Sequence, residues 1–383
     1  MKILQVVTYI SPEGAYGGPV RVAINQAKAL TEIGHEVVVA AAAGGFNGPL
    51  PAEYDGFPVR LFPARRAVPK SGFAGLTSPG LFAWLATAVK GVDVVHIHLA
   101  RDLVTLPAAA LALRAKAPVV VQTHGMIDRT DKKLAGPLDR LLTKPVLRKA
   151  SAVFYLTNRE RGDLVEIAGT NLHLVHLPNG IAVPETRATE QIDGPQENLE
   201  VLFLARLHPR KRPLLFARAA VTIGRRFPLV RFSLVGPDEG EGAGVRATIA
   251  ASNRTGQIHW SGSLTPDQTL ARMGRASVYV LPSTDEPFPM AVLEAMSIGL
   301  PVVITESCGL ASLVRDHQAG VVCDHSQEDF EKALERLLEN ANLRISMGAR
   351  ARAVIEETHS MSSIVGKLAD IYRTVSSSQK GVA

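Results

Sequence analysis

The chain has 383 residues, of which 46% are hydrophobic and 20% are charged, a globular balance with enough length for two domains. Two cysteines cannot form a disulfide framework, and the apolar stretches are too often interrupted by charges and prolines to span a bilayer. The net charge of +6 suggests an acidic partner, but aromatic residues are only 5% and are not interleaved with basic ones, which disfavours nucleic acid.

The first half of the chain alternates strands with helices. Residues 2–9 are predicted to form a first strand and not a signal peptide. A glycine-bearing loop that ends in Gly17 and Gly18 leads from this strand into a helix over 19–33. Ser78 and Pro79 are predicted to cap and open a helix over 78–90. The further strands are predicted at 37–41, 59–62, 93–98, 119–123, 152–156 and 172–176.

A polar stretch at 184–195 interrupts the alternation and is predicted to belong to a linker. A second alternation follows, with strands at 199–204, 230–235, 257–260, 278–281, 302–305 and 320–323. The predicted fold class is therefore α/β, with two doubly wound parallel-sheet domains. No Gly-x-Gly-x-x-Gly follows the first strand and no Walker-type loop occurs, which disfavours a nicotinamide cofactor and a P-loop.

Two glutamates flank the junction between a strand and a helix in the second half. Pro289 is predicted as the first helical residue of a helix that ends before Gly299. The amides of Met290, Ala291 and Val292 would then present donors to an anion such as a diphosphate. Glu286 and Glu294, with seven residues between them, would reach different parts of one ligand, a sugar and a ribose. The spacing alone is equally compatible with an ordinary loop acid and a solvated helix acid.

A basic loop follows the strand at 199–204. Arg206 offers a planar fork for two phosphate oxygens and Lys211 a mobile point charge, whereas Arg210 and Arg212 fit an exposed loop surface. Ligands of open parallel sheets bind outside the carboxyl ends of the strands. Because Arg206, Glu286, Gly236 and the Gly17-Gly18 loop follow such ends, the site is expected in the cleft between the domains.

Together these motifs resemble the retaining glycosyltransferases of the GT-B fold, specifically glycosyltransferase family 4, also called glycosyl transferases group 1. The Glu-x7-Glu element and the Arg/Lys pair carry the resemblance. So do Gly236 in 234–237, Trp260 in 259–262, His124 in Thr-His-Gly at 123–125, and the strand-end motif at 177–181. It runs from about residue 2 to about residue 372. One departure is that Pro287 and Pro289 replace the usual glycines and have no N–H to offer the sugar.

The resemblance implies two Rossmann-like domains that face each other across a cleft. It assigns acceptor binding to 1–183, a linker to 184–197, donor binding to 198–358, and a helix that packs back on the first domain to 359–383. The implied catalytic residues are His124, Arg206, Lys211 and Glu286. The implied donor-binding residues are Gly18, Gly236, Trp260, Phe288, Met290, Ala291 and Glu294. The implied acceptor-side residues are Gly17, His98 and Arg101.

The implied reaction is retaining transfer of a sugar from a UDP- or GDP-sugar to a hydroxyl of a glycan or polyprenyl-linked acceptor, in bacterial surface polysaccharide or glycolipid synthesis. Cations and helix amides would stabilise the departing phosphate, so no metal or other cofactor is expected. The two glutamates are placed for binding, which favours front-side return with the leaving phosphate as base over a glycosidase-like nucleophile. Alternatives on the same fold are a sugar phosphorylase, a nucleotide-sugar epimerase and a non-catalytic sugar-nucleotide-binding subunit.

Histidines and surface charges allow two further interpretations. His96 and His98 lie two apart on one strand, hence on one face, and His124 ends a neighbouring strand, so a zinc site is conceivable, although no acid or cysteine accompanies them at a telling spacing. Basic residues cluster among leucines between 129 and 149, a pattern that fits either a solvated helix face or contact with anionic lipid. The members of this basic cluster are Arg129, Lys132, Lys133, Arg140, Lys144, Arg148 and Lys149. We expect a cytoplasmic enzyme that contacts the inner face of the membrane.

Overall fold

The structure is a computed structural model of the chain. It describes residues 1–12, 17–69, 71–130, 135–185, 199–253 and 255–380. The chain divides into two compact units: unit 1 comprises Met1–Gly180 and Met361–Ala383, and unit 2 comprises Ile181–Ser360. Most of the predicted linker at 184–197 lies outside the described residues.

Unit 1 is built on an eight-stranded sheet of order β10-β9-β8-β7-β1-β2-β4-β3. Its strands are β1 Lys2–Ile10, β2 Glu36–Ala43, β3 Glu53–Tyr54, β4 Phe57–Pro63, β7 Val94–His98, β8 Val119–Gln122, β9 Ala152–Tyr155 and β10 Leu174–His176. All neighbours pair in parallel except β3 with β4. A separate antiparallel pair is formed by β5 Arg65–Arg66 and β6 Leu76–Thr77.

Unit 2 contains a six-stranded, fully parallel sheet of order β13-β12-β11-β14-β15-β16. Its strands are β11 Glu200–Leu204, β12 Arg231–Val235, β13 Ile258–Ser261, β14 Val278–Leu281, β15 Val302–Thr305 and β16 Gly320–Cys323. The strand order reverses between β11 and β14, which makes the carboxyl ends of these strands a topological switch point, the usual ligand position in such sheets.

Helices cover the faces of both sheets. In chain order they are α1 Gly17–Glu32, α2 Pro79–Ala88, α3 Thr105–Arg114, α4 Ala135–Leu138, α5 Lys144–Lys149, α6 Asn158–Ala168, α7 Pro213–Arg226, α8 Gly242–Ala251, α9 Pro266–Met273, α10 Met290–Ser297, α11 Ala311–Asp316, α12 Gln327–Glu339, α13 Ala341–Thr358 and α14 Met361–Lys380. A π-helical turn, Asp139–Thr143, joins α4 to α5. No helix within the described ranges is long and apolar enough to cross a membrane.

Apolar strands explain the buried cores of both units. Strands β8 and β14 are buried along their whole length, as expected where helices cover both faces of a parallel sheet. In unit 1, α14 packs on one face of the sheet, where Tyr372 and Leu368 join Val94 and Phe154 in one buried cluster. The last long helix therefore belongs structurally to the first unit, although it follows unit 2 in the chain.

The predicted strands are all present, within a few residues of their predicted ends. Three local predictions were wrong. Gly17 and Gly18 are helical residues of α1, since the helix starts before Pro19. Ser78 precedes α2, but its hydroxyl donates to the Pro63 carbonyl, 3.0 Å away, and does not cap the helix. Pro289 has an extended ψ of 105°, so it is the residue before α10 and not its first helical residue.

Candidate active site

A pocket of about 300 Å³ opens at the carboxyl ends of β11, β12 and β14 in unit 2. Five of the predicted donor-binding and catalytic residues line it together with Lys211 and Glu286. The complete lining is Leu204, Ala205, Arg206, Lys211, Val235, Gly236, Pro237, Ser263, Leu264, Thr269, Tyr279, Leu281, Glu286, Phe288, Pro289, Met290 and Ala291. The sheet thus gathers residues from four separated segments, 204–211, 235–237, 263–269 and 279–291, around one cavity.

An ion pair lies in the wall of this pocket. Lys211 Nζ donates to Glu286 Oε2 over 2.5 Å, and the two side chains are only 15% and 14% exposed. Lys211 ends the 3-10 turn Pro209–Lys211, while Glu286 lies in the loop after β14. The pair therefore joins the two segments that carry the basic and the acidic motifs, and it supplies one cation and one carboxylate to the cavity.

The backbone around Glu286 is held by its neighbours. Asp285 adopts a left-handed φ of 50°, and its N–H donates to Ser307 Oγ over 3.0 Å. The N–H of Gly309 donates to the Glu286 carbonyl over 2.8 Å. Arg210 Nε donates to the Thr284 carbonyl over 3.2 Å, and its Nη2 to that of Asp285. Arg210 therefore links the basic loop to the loop that carries Glu286 by hydrogen bonds, and it is not a purely solvated side chain.

The Arg206 guanidinium forms an ion pair with a different carboxylate, that of Glu239. Its Nη1 lies 2.9 Å from both carboxylate oxygens of Glu239, in the loop after β12. The Arg206 side chain is 61% exposed, so the guanidinium is accessible from solvent despite this contact. Neither Glu239 nor its position beside Arg206 could be inferred from the sequence, because the contact depends on the pairing of β11 with β12.

Gly236 allows the backbone after β12 to lie close to the backbone after β11. Its φ is +147°, and a Cβ at this position would lie 2.1 Å from the Ala205 carbonyl oxygen. Its carbonyl accepts the Trp260 indole N–H over 2.9 Å. Trp260 does not line the 300 Å³ pocket; it lines a second cavity, where the Arg246 guanidinium lies 4.8 Å from its ring centroid.

The amino terminus of α10 faces the same pocket through Met290 and Ala291. The sequence predicted three amides available to an anion, but the Val292 N–H donates to the Pro289 carbonyl over 3.1 Å. This part of the prediction was wrong because an extended residue before a helix places its carbonyl over the first turn. Phe288 lines the pocket beside them, and its ring also stacks on His359 at a centroid distance of 6.2 Å.

Tyr279 in β14 is a pocket residue that the sequence reasoning missed. Its hydroxyl donates to the Leu204 carbonyl over 3.1 Å. Burial raises its pKa well above 10, and the charges of Glu294 and Glu286 raise it further. Both glutamates therefore act electrostatically on one phenol, although Glu294 is not among the residues that line the pocket. Tyr279 lies in an apolar strand, which gave no sign of a functional contact.

In unit 1 the predicted histidines form a chain. His98 Nδ1 lies 2.8 Å from His124 Nε2, and the rings of His96 and His98 stack at 4.4 Å. Burial lowers the pKa of His96 and of His124 to about 3 and that of His98 well below 6.5, so the chain is neutral. Among the described residues, no group of three or more histidine, cysteine or acidic side chains could hold a metal ion.

The turn that carries His124 is fixed by a buried carboxylate. His124 has a left-handed φ of 52°. Glu160, 4% exposed, accepts from Thr123 Oγ1 and the Gly125 N–H with Oε1 and from the Leu156 N–H with Oε2, each over 2.5 Å. The sequence places Glu160 in the first turn of α6, where an acid is common, and so gave no hint of this contact.

Arg101 and the basic cluster are partly engaged by acids. Arg101 donates to both carboxylate oxygens of Asp139, over 2.8 and 3.1 Å, and to Asp128 over 3.3 Å. Within the basic cluster, Arg129 pairs with Glu166 and Arg148 donates to the Ala168 carbonyl. The cluster's exposed members are Arg129, Arg140, Arg148 and Lys149; Lys144 is half-buried, and Lys132 and Lys133 lie outside the described residues.

Comparison with known proteins places this geometry in a family. A family described as Glycosyl transferases group 1 matches residues 185–354, and a Glycosyl transferase 4-like domain matches residues 17–180. The phosphatidyl-myo-inositol mannosyltransferase of Mycobacterium tuberculosis is 27% identical over 326 residues, 82% of each chain. A D-inositol 3-phosphate glycosyltransferase of Nocardioides is 27% identical over 349 residues, 79% of this chain and 73% of the relative.

Solved structures agree on the fold. The structure of Anabaena HepE in complex with UDP superposes with a TM-score of 0.74 at 19% identity, covering 98% of this chain and 100% of that one. The two parallel-sheet units and these similarities define a glycosyltransferase with the GT-B fold. The second half of the chain belongs to the glycosyl transferases group 1 and the first half to the glycosyl transferase 4-like domains.

Proposed function

We propose that this glycosyltransferase transfers a sugar, with retention of anomeric configuration, from a UDP- or GDP-sugar to a hydroxyl of a glycan or lipid-linked acceptor. The observation that carries the proposal is the convergence of Arg206, Lys211 and the start of α10 on one pocket beside Glu286. Two cations and a helix amino terminus suit a diphosphate, and a carboxylate suits sugar hydroxyls.

In the proposed mechanism the cations act on the leaving group. Arg206 and Lys211 neutralise the charge that develops on the departing diphosphate, and the first amides of α10 add donors to it. Binding of the donor would exchange the contact of Arg206 with Glu239 for one with phosphate, and would loosen the hold of Lys211 on Glu286. Both cations would then bind the diphosphate more strongly as its charge grows, and this stronger binding lowers the free energy of the transition state.

The two glutamates are proposed to bind the sugar and the ribose of the donor. Glu286 would accept hydrogen bonds from the sugar hydroxyls, and Glu294 from the ribose diol. Gly236 gives the diphosphate close access to the backbone, and Phe288 supplies an apolar wall. His124 of unit 1 is proposed to contact the transferred sugar, with Gly17, Gly18, His98 and Arg101 on the acceptor side. The leaving phosphate would take the acceptor proton, and no metal is needed for these steps.

The relatives support this choice of substrates. HepE has been solved in complexes with UDP and with UDP-glucose. The Mycobacterium tuberculosis relative carries a phosphatidyl-myo-inositol acceptor in its name. We therefore propose a lipid-linked or glycan acceptor of bacterial surface polysaccharide or glycolipid synthesis.

The surroundings of the basic cluster support a proposed membrane-facing role. Leu141 in the π-helical turn is 73% exposed and lies beside the exposed Arg140, so one large apolar and one basic side chain share this surface, as contact with anionic lipid requires. We propose peripheral contact with the inner face of the membrane. Reduced binding of Leu141→Glu to vesicles with anionic lipid, compared with the wild type, would support this.

The transfer reaction is tested with a panel of UDP- and GDP-sugars and with simple glycosides or polyprenyl-linked sugars as hydroxyl acceptors, in EDTA. We expect one donor to give product whose new linkage keeps the donor's anomeric configuration by NMR. Arg206→Ala and Lys211→Ala should each reduce turnover at least tenfold, while Arg226→Ala should not, because Arg226 pairs with Glu335 and Glu339 away from the pocket. An inverted product, or a requirement for inorganic phosphate, would contradict the proposal and favour a different transferase class or a phosphorylase.

A further inference from the structure

Unit 1 contains a buried polar layer where its sheet would otherwise be apolar. Gln5 in β1, His96 and His98 in β7, and Gln122 in β8 are all fully buried, in neighbouring strands of the sheet. Buried polar groups destabilise a core unless they are hydrogen-bonded, so such a layer needs a physical reason. Its contacts lead to the ring of His124.

His98 is the central member of the layer. On one side its Nε2 lies 3.4 Å from Gln5 Oε1, and on the other its Nδ1 lies 2.8 Å from His124 Nε2. The rings of His98 and His124 are nearly parallel, with an interplanar angle of 10°. Each nitrogen of His98 therefore has one neighbour.

These contacts favour one arrangement of the ring protons. A neutral imidazole carries one N–H donor and one bare nitrogen acceptor. With the Gln5 carbonyl oxygen, which only accepts, as the partner of Nε2, His98 would carry its proton on Nε2 and accept through Nδ1. His124 must then donate from Nε2, and its own Nδ1 is left as the bare nitrogen.

We propose that Gln5 acts through His98 to hold His124 in the tautomer protonated on Nε2, which leaves Nδ1 as a hydrogen-bond acceptor. Gln5 and His98 are thus positioning residues: they act on the reaction through His124. The use of that acceptor in sugar transfer rests on the function proposed above, whereas the tautomer itself does not.

Two further observations support this Gln5–His98–His124 relay, the chain of contacts that fixes the His124 tautomer. Burial lowers the pKa of all three histidines, so they are neutral. The polar layer can therefore determine which ring nitrogen of a histidine carries the proton, but not the charge of that histidine. The His96 ring stacks on the His98 ring, and His96 Nδ1 lies 2.7 Å from the hydroxyl of Tyr372 in α14. This stack holds the plane of the His98 ring, so that its two nitrogens stay aligned with Gln5 and His124.

The test is the ¹⁵N spectrum of histidine-labelled full-length protein, in which protonated and bare ring nitrogens have well-separated shifts. A His124→Gln variant assigns the His124 signals. Gln5→Met removes the amide while keeping similar volume. Gln26→Met is the matched control, because Gln26 is also fully buried on the same unit but donates to Gln122, 3.2 Å away, and not to His98.

We expect the bare-nitrogen signal of His124 at Nδ1 in the wild type and in Gln26→Met. In Gln5→Met the signal should move to an average between Nδ1 and Nε2, since His98 no longer has a preferred proton position. A wild-type signal at Nε2, or an unchanged signal in Gln5→Met, would overturn the proposal. If Gln5→Met does not fold, the wild-type tautomer alone decides.

The turnover of the same variants separates the two proposals. A tautomer shift in Gln5→Met accompanied by a fall in kcat with little change in KM supports both the relay and the proposed role of His124. A tautomer shift with unchanged kcat leaves the relay established and contradicts only the role of His124 in the transfer.

Discussion

Glu160 offers the sharpest test of how the His124 turn is built. In Glu160→Gln the amide oxygen can replace Oε1 and keep the bonds from Thr123 and Gly125. The amide NH₂ then faces the Leu156 N–H, so one hydrogen bond is replaced by two opposed donors. Losing a bond to a buried charge costs about 1.5–3 kcal/mol, and the unpaired donors about 1 kcal/mol more. We therefore expect a loss of roughly 3 kcal/mol.

The assay is urea denaturation of unit 1. Trp84 lies in α2 of unit 1, so a Trp260→Phe background makes tryptophan fluorescence report this unit alone. The control is Glu166→Gln on the same helix, whose carboxylate is 53% exposed and pairs with an Arg129 side chain that is 76% exposed. An exposed pair of this kind is worth up to about 1 kcal/mol. If Glu160→Gln lost no more stability than Glu166→Gln, the three hydrogen bonds would not hold the turn.

Three further predictions concern the pocket and the histidine chain. Gly236→Ala should lose about 1–3 kcal/mol of stability and most nucleotide binding, because its Cβ would meet the Ala205 carbonyl; Gly256→Ala, with open space at its Cβ, is the control. Glu239→Gln should tighten binding of UDP or GDP about two- to fivefold by calorimetry, since it releases Arg206, and weaker binding would refute this. His96 takes up a proton below about pH 6.5 only when unfolded, so stability should fall as the pH decreases from 6.5 to about 3. At pH 5 this amounts to roughly 2 kcal/mol, and His96→Gln should reduce the slope of stability against pH by about one proton.

Much of the fold was predictable because its strands are short apolar runs between turn residues. The junction of β14 with α10 was predicted within one residue, and only the conformation of Pro289 was misjudged. The positions of Arg206, Lys211 and Glu286 at strand ends followed from the alternation of strands and helices, and the structure brings all three to one pocket.

The missed residues share a physical cause. Glu160, Tyr279 and Glu239 are ordinary members of a helix turn, an apolar strand and a loop, and each acquires its contact from a segment more than 30 positions away. Such contacts depend on strand order, which hydrophobic periodicity does not specify. The pairing of Arg101 with Asp139 was likewise not predictable from the sequence, because it depends on the π-helical turn.

The central claim is that Arg206 and Lys211 bind the diphosphate of a nucleotide sugar in unit 2. Calorimetric titration with UDP and with GDP in EDTA, on the wild type and on the Arg206→Ala/Lys211→Ala double variant, tests it most directly. We predict binding of one of the two nucleotides by the wild type and a loss of at least tenfold in affinity in the double variant. Equal affinity in the two proteins, or no binding of either nucleotide by the wild type, would contradict the claim.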